Sequence, residues 1–204
     1  MKTIWFVIFF SVFIWSGVAP KDYFTWFLEV FPAIIGLVLL IVTYKKFPLT
    51  TLLYFLILIH CVILMVGGHY TYAEVPLFDY IKPIFGFSRN NYDKVGHFAQ
   101  GFIPAILVRE IFIRKEIIVS HNWQNFLIVS VCLAFSAFYE LIEWIVAKFT
   151  GESADAFLGT QGYAWDTQTD MAIALLGAIF ALIILSKIHD KQLLKLSNKL
   201  NLSK

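Results

Sequence analysis

Three pairs of ionisable residues stand inside or at the mouths of apolar runs: Asp93 with His97, Glu140 with Glu143, and Asp166 with Asp170. An ionisable group in lipid costs at least about 2.5–3.5 kcal/mol, so such residues normally face a bundle interior and mark a site. Their types suit a narrow chemistry. One imidazole among carboxylates can hold a divalent cation, relay a proton or activate a water. Glu140 and Glu143, one turn apart, need protons, a cation or an internal water network to offset their charge.

These residues need a membrane scaffold, and the composition supplies one. Of 204 residues, 59% are hydrophobic, with a mean hydropathy of +0.75. Soluble domains stop near half apolar. Apolar stretches of spanning length predict an all-α, polytopic helical bundle with six transmembrane helices, at about 4–19, 26–44, 49–67, 95–113, 125–147 and 167–186. They form a single integral domain of residues 1–204, with 187–204 as a basic amphipathic tail along the anionic inner leaflet. The first run resembles a signal peptide, with Lys2 before it and small residues at its end. Its bulky, aromatic core and Pro20 after the cleavage point argue for a retained helix. Cys61 and Cys132 fall within apolar runs and read as buried hydrophobes.

Charge sets the orientation. With the N-terminus inside, the inner segments carry eleven of the sixteen Lys and Arg residues, among them Lys45, Lys46, Arg114 and the tail lysines. The outer segments carry Lys21, Lys82, Arg89, Lys94 and Lys148. Both termini are therefore expected in the cytoplasm of a bacterial inner-membrane protein. Because the basic residues mark cytoplasmic loops, nucleic-acid binding has no support.

In this topology the three pairs converge. His97 lies about 6 Å inward of Asp93 on the same helical face, at i, i+4. Glu140 and Glu143 share a face about 7–12 Å below the outer edge. Asp166 sits at the lip of the last helix, and Asp170 lies one turn deeper. Depth and face agree in all three helices, which points to one site of Asp93, His97, Glu140, Glu143, Asp166 and Asp170. Blander roles exist for single members. Asp166 can cap its helix, Asp93 beside Lys94 can be a solvated lip, and His97 can be a hydrogen-bonded bundle histidine. Further contributors from the outer loops are His69, Tyr72, Glu74, Arg89, Lys94 and Gln161, with Glu29 near the outer end of the second helix. Gly159-Thr160-Gln161-Gly162 can form a turn over the site. Arg109, Glu110 and Arg114 mark the inner end of the fourth helix, where Glu110 and Arg114 can pair as a structural anchor.

At these residues the chain resembles the YjdF-like family of bacterial multi-pass inner-membrane proteins, which has no assigned activity. The likeness covers most of the length. Its strongest segments are Gly67-Gly68-His69-Tyr70-Thr71-Tyr72 and Arg89-Asn90-Asn91-Tyr92-Asp93-Lys94-Val95-Gly96-His97, followed by Phe98-Ala99-Gln100-Gly101. Tyr139-Glu140-Leu141-Ile142-Glu143-Trp144, Gly159-Thr160-Gln161-Gly162, Trp165-Asp166-Thr167-Gln168 and Asp170-Met171 complete it. Tyr163 departs from a pattern in which an acid is expected, so no ligand role is carried to that position. The chain is also similar to the VanZ-like membrane proteins, associated with glycopeptide resistance, through Asp93-Lys94-Val95-Gly96-His97, a glutamate-bearing helix and Asp170 with Gly177. Ala174 stands where that pattern has Asn, and no matching Arg precedes Asp170. That kinship implies an envelope-facing role and no mechanism.

Three functions remain open on these residues. One is a metal-dependent enzyme acting on an envelope lipid or lipid-linked substrate. In it His97, Glu140, Glu143 and Asp170 hold Zn²⁺ or Mn²⁺, favoured over Mg²⁺ or Ca²⁺ by the nitrogen ligand, with Asp93 orienting the imidazole. The second is a non-catalytic component that binds lipid, drug or a partner subunit. The third is a proton- or ion-coupled transporter, against which stand the site's position towards one face and the lack of an internal repeat. No HExxH, nucleophile elbow or phosphate-binding loop narrows the choice, and nothing in the sequence sets the oligomeric state.

Overall fold

The computed structural model describes residues 2–150 and 161–201, and these form helices joined by short connections. In chain order they are α1 (Lys2–Gly17), α2 (Tyr23–Thr43), α3 (Thr51–His69), α4 (Pro76–Ile84), α5 (Tyr92–Arg114), α6 (His121–Thr150) and α7 (Asp166–Asn201). Four of them, α2, α3, α6 and α7, are long and apolar enough to cross a membrane, and α1 is a shorter apolar helix of 16 residues. At 23 residues α5 matches them in length, but its polar residues are turned inward. Asp93, His97, Arg109 and Glu110 are all buried. Side chains that would face lipid are correspondingly exposed and apolar, including Ile4, Val38, Phe138 and Ile183.

Local signals explain most helix ends. Asp22 caps α2 by accepting from the Thr25 N–H at 2.6 Å, which satisfies an otherwise orphan donor. Pro48 stops the chain from extending α3 backwards, and Thr50 occupies its N-cap position. Pro76 sits in the first turn of α4, where a missing N–H costs nothing. This short helix was not expected from the sequence. Its exposed Leu77, Tyr80 and Ile84 give it the residue pattern of a helix lying in the headgroup layer. The basic tail is continuous with the last span, since no Gly or Pro interrupts residues 187–201.

α5 is the hub. It packs against α3, α6 and, most extensively, α7, while α3 also carries α1 and α2. The α5–α7 crossing is unusually close. A Cβ built on Gly101 would collide with the Ala174 carbonyl, and one on Gly177 would collide with the Phe98 carbonyl and lie 3.0 Å from the Phe102 nitrogen. Ala105, Ala178 and Ala181 continue the small-residue seam and are fully buried. Small residues allow helix backbones to approach in a membrane, where no hydrophobic force drives helices together.

The end of α5 that carries Arg109 and Glu110 is fastened by a second polar network. Glu110 accepts from the Thr50 hydroxyl at 2.8 Å and from Arg114 at 2.8 Å. Arg109 reaches Asp190 at 2.7 Å and His189 Nδ1 at 3.0 Å. A guanidinium can only donate, so His189 Nδ1 accepts and its Nε2–H serves Glu110 Oε2 at 3.0 Å. The Glu110–Arg114 pair expected from i, i+4 spacing is present, and His189 is the added member.

Gly101→Ala should cost about 1–3 kcal/mol by forcing α5 from α7. Gly36→Ala, with nothing within 4 Å of its new methyl, should cost nothing and gain up to about 1 kcal/mol from helix propensity. Thermal unfolding of the two variants in detergent checks this pair.

Candidate functional site

The first turns of α5 and α7 are positioned by one asparagine. The Asn90 side chain accepts from the Tyr92 N–H at 3.1 Å and donates to the Val75 carbonyl and Asp79, both at 3.0 Å. Gln161, just before α7, holds the Asn90 backbone in both directions, accepting from its N–H at 3.0 Å and donating to its carbonyl at 2.9 Å. The segments that lead into α4, α5 and α7 are thus tied together, and Arg89 is delivered over the site. Its guanidinium also lies 5.7 Å from the Tyr163 ring.

Beneath it, two cations link three carboxylates. Arg89 donates to Asp166 at 2.6 Å and to Asp93 at 3.4 Å. The Lys94 ammonium contacts Asp93 Oδ2 at 3.2 Å, Asp166 Oδ1 at 2.7 Å and Asp170 Oδ1 at 2.5 Å. Lysine therefore takes one oxygen from Asp93 and one from Asp170. The other oxygens turn toward His97. Asp93 Oδ1 lies 3.2 Å and Asp170 Oδ2 3.9 Å from His97 Nε2. The opposite ring nitrogen, Nδ1, is 3.1 Å from Gln100 Oε1.

This leaves Asp93, His97 and Asp170 with one potential ligand atom each, all within 4.8 Å of one another and all buried. The donor set of one imidazole nitrogen and two carboxylate oxygens suits Zn²⁺ or Mn²⁺. An Nδ1–H held by Gln100 is the usual way to aim the opposite nitrogen at a metal. Glu140 borders the triad, with its Oε1 3.8 Å from His97 Nδ1. That oxygen is buried and has no hydrogen-bond partner among the described residues. Beyond it lie Glu143, buried on the same side of α6, and Glu29, which accepts from the Tyr139 hydroxyl at 3.3 Å.

All six residues of the expected site are buried, and they gather where α5, α6 and α7 meet. Within the group, the compact triad includes Asp93, expected to orient the imidazole, and Gln100 contacts the opposite ring nitrogen. Asp93 is one turn from His97 on the same helix and so faces the imidazole directly, whereas Glu140 and Glu143 approach from α6 and lie outside the compact triad. Arg89 and Lys94 join the site. Tyr72 is buried under α5, where a Cβ on Gly96 would lie 2.9 Å from its ring. His69 and Glu74 are placed elsewhere. His69 Nδ1 is 3.0 Å from the Ser16 carbonyl and its ring lies beside Trp15, so it joins α3 to α1. Glu74 pairs with Lys21 at 2.9 Å and lifts that lysine's pKa above its ordinary value. Gln161 acts on the Asn90 backbone. Gly159 and Thr160 lie outside the described residues.

Sequence reasoning missed the roles of Asn90 and Gln100. Gln100 is i+3 from His97 and therefore on its face, a signal that was there to be read. Asn90 gives only the general signature of a residue that precedes a helix.

An all-helical bundle with long apolar spans and a polar site buried among its helices defines a multi-pass membrane protein. Comparison with known proteins agrees. Residues 1–191 match a family described as a predicted membrane protein, DUF2238. The chain is 50% identical over 182 residues to the inner membrane protein YjdF of Escherichia coli strain K12, covering 89% of this chain and 87% of that relative. The chain belongs to this family and is an inner-membrane protein. No solved structure matches it.

Breaking a buried ion pair by removing one partner typically costs about 3–5 kcal/mol. Lys94→Met should therefore destabilise by that order, because Asp93, Asp166 and Asp170 lose a shared counter-charge. Adding Asp166→Asn to Lys94→Met should recover part of the loss, as read by thermal unfolding of the single and double variants.

Proposed function

We propose that this protein is a metal-dependent membrane enzyme that acts on an envelope lipid or a lipid-linked substrate, with a divalent transition metal held by Asp93, His97 and Asp170. The observation that carries this reading is how Lys94 divides the carboxylates. It braces one oxygen of Asp93 and one of Asp170 and leaves their partners facing His97 Nε2. The charge balance favours the same reading. Glu29, Asp93, Glu140, Glu143, Asp166 and Asp170 are all buried, and Arg89 and Lys94 offset only part of their charge. A divalent cation would offset part of the remainder, with protons on the carboxylates away from the triad accounting for the rest.

In this scheme the metal would polarise a substrate oxygen or lower the pKa of a bound water. Glu140, whose unpartnered oxygen lies 3.8 Å from His97 Nδ1, would serve as proton acceptor for a group entering beside the imidazole. Arg89 and Lys94 can release Asp166 to hold an anionic group of the substrate. With the termini inside, as the charge distribution predicts, the site opens outward and a lipid-borne substrate reaches it from the outer leaflet.

A transporter has less support. Between the site and the Arg109–Glu110 network, some 18 Å along α5, the buried side chains are mostly apolar, with Ile103, Ala105 and Ile106 packed with Ile128, Cys132 and Ala178, and Ser136 of α6 is a buried polar group among them. A binding protein without catalysis draws on the closed ion-pair network of Arg89 and Lys94, which can serve a structural end.

Elemental analysis of protein purified in detergent should find close to one equivalent of zinc or manganese. Asp93→Asn, His97→Ala and Asp170→Asn should each lose most of it, and chelation should lower the wild-type melting temperature by several degrees. Metal-free protein with full wild-type stability and no uptake of added zinc would contradict the proposal.

A further inference from the structure

The end of the bundle opposite the metal triad holds two adjoining cavities that the proposed chemistry does not use. The first, of about 330 Å³, is an apolar groove lined by Trp5, Phe6, Leu37, Leu40 and Ile41. It exists because α1 and α2 both lean on α3 but diverge from each other. At one end they are joined, with Trp26 donating to the Ser16 hydroxyl at 3.1 Å. At the other end Lys2 lies across the gap between them, its ammonium 4.0 Å from the Tyr44 ring.

The second cavity, of about 520 Å³, shares Lys2, Tyr44 and Tyr54 with the groove. Its further wall carries Lys195 and Lys199 from α7, with Thr50 and Thr51 at the start of α3. No acid lines it. The wall is fixed, because Gln192 of α7 accepts from the Leu52 N–H at 2.8 Å and Trp5 donates to the Tyr54 carbonyl at 2.7 Å.

We infer that these cavities together form a binding site for one anionic phospholipid. Its phosphate headgroup sits among Lys2, Lys195 and Lys199, and one acyl chain lies in the groove between α1 and α2. Complementarity of charge and of shape argues for this occupant in particular. Lysines at a membrane surface attract anionic headgroups, and the headgroup cavity opens directly onto an apolar slot of the kind an acyl chain fills. A free phosphate ion would leave the groove without a role. A zwitterionic lipid would bring a second cation among three lysines. The inference is independent of the metal triad, since the two places share no residue.

Native mass spectrometry of the full-length protein in detergent tests it. With palmitoyl-oleoyl phosphatidylglycerol, the protein should retain one lipid in clear preference to the matching phosphatidylcholine. Lys195→Gln with Lys199→Gln should cut that retention about tenfold or more, as expected for removing two lysine charges from a headgroup site. The control is Lys45→Gln with Lys46→Gln, which removes the same charge from residues outside the cavity and should leave retention unchanged. Equal losses in both double variants would overturn the inference in favour of diffuse surface attraction. So would equal retention of the two lipids, or inorganic phosphate displacing the phosphatidylglycerol at millimolar concentration.

Discussion

The close crossing of α5 and α7 is the constraint on which the rest of the structure depends. Gly101 lies against the backbone at Ala174, and Gly177 against the backbone at Phe98 and Phe102. That contact sets the separation of the two helices about two to three turns from their first residues. The separation in turn places Asp166 and Asp170 within reach of a lysine rooted on α5. Wider spacing would strand Lys94 short of Asp170, and the buried carboxylates would lose a counter-charge in a medium that hardly screens them. Packing and electrostatics are thus coupled: glycines permit the approach, and the ion pairs make separation costly.

Lys94 links that packing to the chemistry. A lysine is a compact point charge with three donors on a flexible stem, and here it contacts three carboxylates from two helices. By holding one oxygen each of Asp93 and Asp170 it orients the others toward His97. The same residue that neutralises the cluster also shapes the triad. Arg89 seals the arrangement from above, and Asn90 with Gln161 fixes the segment that carries Arg89.

Much of this was legible in the sequence, for identifiable reasons. Five long apolar runs and one short one announced the principal helices, because membrane spans must be apolar over their whole length. The paired acids and His97 were legible because i, i+3 and i, i+4 spacings force residues onto one face. Other features left weaker traces. α4 is nine residues long with Pro at both ends of its sequence, too short for a periodic signal. The extension of α7 past residue 186 is hidden by the change from apolar to basic residues, although nothing there breaks a helix. Lys94 was legible as a contributor to the site, but its contacts with Asp166 and Asp170 were not, because beside Asp93 it reads equally as a solvated lip, whereas its long stem reaches across to another helix. Which glycines make the α5–α7 contact is likewise a property of the assembled bundle, and Gly36 and Gly101 look alike until a neighbour is placed beside them.

The central claim is that the convergence of α5 and α7 builds a site for a cation between Asp93, His97 and Asp170. An X-ray absorption spectrum at the zinc edge, taken on zinc-loaded protein in detergent, addresses it most directly. The account predicts a first shell of oxygen and nitrogen at about 2.0–2.2 Å with the outer scattering of a single imidazole. A shell containing sulfur, or oxygen alone with no imidazole signature, would contradict it.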